Sequence, residues 1–109
     1  AFWCFIGKYV HILYLFDFFS MSIRLKLRLY GRVQGVCFRK WSRVQAEELG
    51  LRGFAKNQSD GSLIIEVQGS VSSLEEFALR CKEGPEWAVI TDMVKREIES
   101  VEEAGFIIT

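Results

Sequence analysis

The sequence is poor in histidine, proline and cysteine, with one, one and three of each in 109 residues. The only histidine is His11, so residues 21–109 contain no imidazole for a catalytic triad, for general acid–base catalysis or for binding a metal ion. Cys4, Cys37 and Cys81 are odd in number and show no Cys-x-x-Cys spacing, which argues against a disulfide framework or a zinc site. The sequence therefore predicts a reducing, cytoplasmic setting with no metal and no cofactor.

The chain also lacks a net charge, because 14 basic residues balance 14 acidic ones. A neutral protein has no overall field that would attract nucleic acid or an anionic membrane, so neither partner is expected. The basic residues are nevertheless concentrated, since residues 24–43 hold seven of them and no acidic residue. This region suits a small anionic ligand, although charges on the outer face of a strand or helix are usually a solvated surface.

Residues 1–20 differ from the rest, with fifteen apolar or aromatic positions and no helical or strand period. Lys8 and Asp17 interrupt any membrane-spanning helix, and the basic start and cleavage site of a signal peptide are missing. This segment is interpreted as a remnant of translated upstream sequence, a targeting or anchoring segment, or a structural extension. Met21 is then the natural start of one domain, residues 21–109, which is long enough for a single core.

Hydrophobic patterning predicts an α+β domain. Strict alternation from Ile23 to Tyr30 indicates a half-buried strand, and Asp60-Gly61 is a strong turn signal for a hairpin. The capping-box pattern Ser72-x-x-Glu75 marks a helix start. The predicted elements are a strand at 23–30, a helix at about 38–49, strands at 52–58 and 62–68, a helix ending at Gly84-Pro85, and strands at 89–98 and 106–108. The order βαββαβ plus a last strand predicts a ferredoxin-like sandwich, with two helices on one face of an antiparallel sheet.

The most informative run is residues 29–39, Leu-Tyr-Gly-Arg-Val-Gln-Gly-Val-Cys-Phe-Arg, between the first strand and the first helix. Gly31 and Gly35 allow positive φ angles, so backbone amides can converge on a phosphate while the helix adds its positive end. Arg39 lies in the first turn of that helix, where the dipole disfavours a cation unless an anion offsets it. The run predicts an anion cradle.

This run resembles a signature of the acylphosphatases, and residues 53–63, Gly-Phe-Ala-Lys-Asn-Gln-Ser-Asp-Gly-Ser-Leu, followed by Gly69, resemble a second one. The resemblance covers residues 23–108 and implies the ferredoxin-like fold. It implies that Arg39 and Asn57 are the catalytic residues, with Asn57 positioning the attacking water. It also implies a phosphate site formed by Arg32, Val33, Gln34, Gly35, Val36, Cys37 and Arg39.

The missing histidine constrains the substrate. An alkoxide leaving group generally needs a general acid, whereas a carboxylate with a conjugate-acid pKa of about 4 departs unprotonated. The predicted function is therefore metal-independent hydrolysis of small acyl phosphates. The protein is also expected to be a monomer. The alternative is a non-catalytic or maturation-type module of the same family that binds phosphate or carbamoyl phosphate. The short chain favours the enzyme, because the second kind normally sits inside a much longer polypeptide.

Two other readings of the residues are not favoured. Cys37 and Arg43 have the Cys-x5-Arg spacing of a tyrosine phosphatase loop, but the residues between them contain no glycine and read as helix. Cys37 is instead expected to be a small residue under the loop. The aromatic residues fall at helical and loop positions, which argues against base stacking on an RNA-binding sheet.

Trp87, where smaller residues are common in the family, is expected to affect which acyl group is preferred.

Overall fold

The computed structural model describes residues 22–109, so the predicted segment 1–20 and the proposed start Met21 lie outside the described residues. The elements are β1 (Ile23–Arg32), α1 (Phe38–Glu48), β2 (Arg52–Asn57), β3 (Leu63–Gly69), α2 (Val71–Glu83), β4 (Val89–Ile98) and β5 (Phe106–Ile108). The sheet order is β4-β1-β3-β2-β5. The predicted ferredoxin-like sandwich is confirmed.

One feature of the sheet differs from the prediction. The pairs β1–β3, β1–β4 and β2–β3 are antiparallel, but β5 pairs in parallel with β2, through Gly53 and Phe106 at one end and Ala55 and Ile108 at the other. The sheet is therefore mixed. A three-residue strand carries too little pattern to reveal its direction, which depends on the route of the chain after β4.

The core lies between the sheet and the two helices. The alternating residues Leu27 and Leu29 of β1 are fully buried, as the sequence predicts, and they belong to one cluster with Phe38 of α1 and Phe77 of α2. Burying a large apolar side chain contributes about 1.5–3 kcal/mol, so this cluster accounts for much of the stability. Because Phe38 is the first residue of α1, the core also fixes where that helix begins.

The outer face of β1 is less solvated than its charges suggest. Arg24 is only 2% exposed and donates hydrogen bonds to Glu66 at 2.9 Å and Glu103 at 3.0 Å. Gln68 accepts a third hydrogen bond from Arg24 and exchanges two more with the backbone of Val101. The expectation of a solvated surface is therefore wrong at this position, because the segment between β4 and β5 covers the guanidinium and supplies one of its two carboxylate partners.

The capping box is also misplaced in the prediction. The second helix begins at Val71, and its N-cap is Ser70, whose hydroxyl accepts a hydrogen bond from the Ser73 amide at 3.4 Å. Ser72 and Glu75 lie inside the helix. Several nearby serines can act as caps, and the earlier one is used because β3 ends at Gly69 and the chain must turn there at once.

Two glycines are required by close backbone approach. A Cβ on Gly31 would lie 2.1 Å from the main-chain oxygen of Val89, and a Cβ on Gly53 would lie 1.8 Å from the main-chain oxygen of Glu66. Gly31 also marks a register shift in the β1–β4 pair, where its φ is 115°. This irregularity redirects the chain out of the sheet and into the loop before α1.

Candidate active site

The loop before α1 is anchored to the core on one side and faces open space on the other. Val33 is 1% exposed and belongs to the core cluster, so its side chain anchors the loop. Gly35 and Cys37 both have positive φ, at 75° and 63°, and a Cβ on Gly35 would meet nothing within 4 Å. Alternation of left- and right-handed residues turns successive amides towards a common point, which is how a backbone forms an anion-binding concavity.

The start of α1 continues this concavity. Cys37 occupies the N-cap position, and within residues 22–109 its side chain makes no capping hydrogen bond and the first turn has no acidic residue. The helical ladder begins with the amide of Trp41, which donates to the Cys37 oxygen at 3.0 Å. The amides of the first turn thus have no carbonyl partner in the helix, and together with the helix dipole they favour an anion.

Gln34 fastens the loop to the β2–β3 hairpin. Its Nε2 donates to the main-chain oxygens of Gln58 at 2.8 Å and Ser62 at 2.9 Å. The turn itself is closed by Asp60, whose Oδ1 accepts hydrogen bonds from the Ser62 hydroxyl at 2.6 Å and the Ser62 amide at 2.9 Å. These hydrogen bonds, with a smaller effect of Arg28, lower the pKa of Asp60 below its ordinary value of 3.8.

Arg39 and Asn57 line one cavity with the loop, although they come from α1 and from the end of β2. The cavity has a volume of about 410 Å³, and Gly35 and Cys37 form part of its wall. Arg39 donates from Nη1 to the main-chain oxygen of Thr109 at 2.8 Å. That contact holds one side of the guanidinium against the residue after β5, and it restricts where the remaining N–H groups can reach.

The side chain of Asn57 carries an unusual polar atom. Its Oδ1 is buried, and among the described residues it has no hydrogen-bond partner. Leaving a buried acceptor unpaired costs about 1–3 kcal/mol, so such atoms call for a functional or solvent partner. Asn57 also lines the cavity, where its side-chain amide can form a hydrogen bond with a water molecule or a ligand.

The structure brings five of the eight expected site residues together and places the other three elsewhere. Val33, Gly35, Cys37, Arg39 and Asn57 line the cavity. Arg32 ends β1 and is exposed, Gln34 is directed to the hairpin, and Val36 lines a neighbouring groove. Cys37 is exposed, so the expectation that it lies under the loop is wrong. Its left-handed N-cap conformation turns the side chain outwards, while the next residue, Phe38, is the one buried beneath the loop.

Three residues that were not predicted as site residues also line the cavity, namely Phe38, Lys40 and Ile108. Lys40 is detectable in retrospect, because it lies three residues after Cys37 and therefore on the same face of the helix. Ile108 belongs to the short parallel strand β5, and no local pattern connects it to the loop. The positive charge at the site thus comes from two side chains of α1.

Two further findings concern residues 22–109. No group of three or more His, Cys, Asp or Glu side chains is arranged to hold a metal ion. In the same residues no helix is long and apolar enough to cross a membrane.

Comparison with known sequences gives consistent matches. A family model described as Acylphosphatase matches residues 25–108. The chain is 44% identical over 84 residues to an acylphosphatase of Sinorhizobium medicae, and the match covers 76% of this chain and 89% of the relative.

Solved structures give the same picture. An acylphosphatase from Coxiella burnetii superposes with a TM-score of 0.79 at 30% identity, over 83% of this chain and 95% of the other. A full-length HypF in a phosphate- and nucleotide-bound form superposes with a TM-score of 0.77 at 33% identity, but the match covers only 12% of that chain.

Proposed function

The chain belongs to the acylphosphatase family, as its two motifs indicate, and we propose that it hydrolyses the carboxyl–phosphate bond of small acyl phosphates. The products are a carboxylate and inorganic phosphate. The observation that carries the proposal is the convergence of three parts on one cavity: the loop at the start of α1, Arg39 and Asn57. They come from separate elements, and each supplies something that phosphoryl transfer needs.

The loop and Arg39 bind the phosphoryl group in this proposal. The loop amides from Arg32 to Val36, with Cys37 at the edge, surround its oxygens, and the first-turn amides of α1 add the positive end of the helix. The planar guanidinium of Arg39 holds two of these oxygens and remains charged at any working pH. Preorganised donors of this kind stabilise the charge that spreads over the phosphoryl oxygens in the transition state.

Asn57 positions the attacking water. A neutral amide cannot remove a proton, so its contribution is to orient the water by hydrogen bonding from the wall of the cavity. The water oxygen forms a bond to phosphorus, the bond from phosphorus to the acyl oxygen breaks, and the carboxylate leaves with the electron pair. A phosphoryl oxygen of the substrate accepts the proton of the water.

No general acid is required for this reaction, because the leaving group is a stable carboxylate. We therefore propose that turnover needs no metal ion and no cofactor. We also propose that the protein is a cytoplasmic monomer that acts without nucleic acid. The free cysteines Cys37 and Cys81 suit a reducing compartment, and the zero net charge gives no overall field that would attract nucleic acid.

The test is hydrolysis of benzoyl phosphate by the full chain, with and without EDTA, beside Arg39→Ala. We expect metal-independent turnover that falls at least about a hundredfold in the variant, since a principal charge-stabilising group is lost. Arg43→Ala is the matched control, because Arg43 lies one turn further along α1 and does not line the cavity. A folded protein that binds phosphate without turnover would instead be a binding module, and equal losses in both variants would contradict the role of Arg39.

A further inference from the structure

A groove lies beside the cavity, and the proposed reaction assigns it no role. It has a volume of about 420 Å³, and its lining atoms are almost all apolar. Trp41 and Val44 of α1 form one wall, and Pro85 and Trp87, between α2 and β4, form the other. Val36 of the loop also lines it.

The groove exposes an unusual amount of apolar side chain. Trp87 is 67% exposed and Val44 is 50% exposed. Scattered exposed apolar residues are normal, but large apolar side chains that converge on one concave surface usually mark a binding site. The aromatic wall is also fixed in place, because the Trp41 ring packs edge-on against the buried Phe38 ring, with centroids 5.2 Å apart.

The opposite wall is preformed as well. Gly84 packs so closely on α1 that a Cβ there would lie 2.8 Å from the Phe38 ring. The residues that follow form a turn in which the Ala88 amide donates to the Pro85 oxygen at 3.0 Å. This turn carries Trp87, which lines the groove together with Trp41 of α1.

The groove adjoins the cavity that is proposed to bind phosphate. Gly35, Cys37 and Lys40 line both of them. A ligand whose phosphoryl group lies in the loop can therefore extend its other end between the two tryptophans. In an acyl phosphate that other end is the acyl group, which is joined to the phosphorus through one oxygen.

We infer that this groove binds the acyl group and selects substrates whose acyl group is aromatic or a branched hydrocarbon. The inference rests on the proposed function, since it assigns the substrate class of the same site. The two charged residues of the lining, Lys40 and Glu86, have opposite signs and give no net attraction for a charged acyl group. A second carboxylate on the substrate would lose its hydration against the apolar walls without gaining a partner.

The experiment compares benzoyl phosphate with acetyl phosphate in the full chain, in Trp87→Ala and in Leu79→Ala. Leu79 is a matched control, because it is 60% exposed on α2 and does not line the groove. We expect kcat/KM for benzoyl phosphate to fall about tenfold in Trp87→Ala, and that for acetyl phosphate to change less than about twofold. The control should leave both values unchanged. Equal losses for both substrates, or none, would overturn the inference.

A binding measurement separates this inference from the proposed function. Benzylphosphonate and methylphosphonate have a carbon–phosphorus bond and no acyl oxygen, so the proposed reaction cannot hydrolyse them. Calorimetry therefore measures their affinities directly. Tighter binding of benzylphosphonate that is lost in Trp87→Ala supports the groove even in a protein without turnover. If Trp87→Ala left the affinities unchanged but altered the mass in sedimentation equilibrium, a second copy of the chain would cover the groove, and the inference would be wrong.

Discussion

The side-chain nitrogen of Gln34 lies 2.9 Å from the main-chain oxygen of Ser62, and this contact ties the loop before α1 to the β2–β3 turn. A second hydrogen bond from the same nitrogen reaches the Gln58 oxygen. Asn57 directly precedes Gln58, so the contact also sets the distance between the loop and the amide proposed to orient water. Gln34 is therefore a positioning residue, and its side chain is engaged within the protein.

Gln34→Ala should impair both stability and turnover. The change leaves two main-chain oxygens without their donor, so we expect the free energy of unfolding in urea to fall by about 1–3 kcal/mol. It should also lower kcat, because the loop and Asn57 lose their common anchor. Gln58→Ala is the control, since that side chain makes one long contact to the Lys56 oxygen at 3.3 Å. A variant with reduced stability but unchanged kcat would show that the anchor is only structural.

Asn57→Ala should remove activity without removing stability. Its Oδ1 has no partner among the described residues, so no hydrogen bond through that oxygen is lost, and the free energy of unfolding should not fall by more than about 1 kcal/mol. Turnover of benzoyl phosphate should fall at least about a hundredfold, because the water is no longer oriented. The affinity for inorganic phosphate, measured by calorimetry, should change little. Parallel losses of phosphate affinity and turnover would contradict the water-positioning role.

Gly35→Ala and Gly31→Ala should behave differently, although both glycines have positive φ. A methyl group at Gly35 points into open space, so the expected cost is the left-handed backbone alone, about 1–2 kcal/mol, with weaker phosphate binding. A methyl group at Gly31 would overlap the Val89 oxygen, so the β1–β4 pair must separate, and we expect more than about 3 kcal/mol. Urea titrations measure both. Equal stability losses would argue against the described path of the loop.

Stability should depend on Asp60 at acid pH. Because the pKa of Asp60 is lowered in the folded state, the folded protein favours the ionised carboxylate. Its contribution is fully present above the ordinary value of 3.8 and is lost as the pH falls through the lower folded-state pKa. The Asp60→Asn variant has no carboxyl group to titrate at this position. The difference in unfolding free energy between the native protein and this variant should therefore shrink as the pH falls from about 6 to about 2. A constant difference would exclude this role.

Much of the fold could be predicted because its signals are local. The alternation of β1, the Asp60-Gly61 turn and the amphipathic pattern of α2 each occupy a few consecutive residues. The glycine spacing and the position of Arg39 located the loop for the same reason. These patterns state which residues are buried and where the chain reverses, and the structure agrees with them.

The parts that the sequence did not reveal depend on residues far apart in the chain. Arg24 is buried by Glu103, 79 residues later, and Arg39 contacts the oxygen of Thr109, 70 residues later. The parallel direction of β5 and the lining role of Ile108 follow from the same return of the chain. Tertiary packing decides such features, and a single sequence carries no periodic signal for them.

The strand order β4-β1-β3-β2-β5 has a consequence for the rate of folding. Only β2 and β3 are neighbours both in the sheet and along the chain, so a local reversal can form only that pair. Every other pair requires closure of a long loop before any contact stabilises it, and proteins dominated by such pairs fold slowly. The cavity combines α1 and the loop before it with the end of β2 and with β5, so catalytic activity should not appear during refolding until these distant parts of the chain have come together.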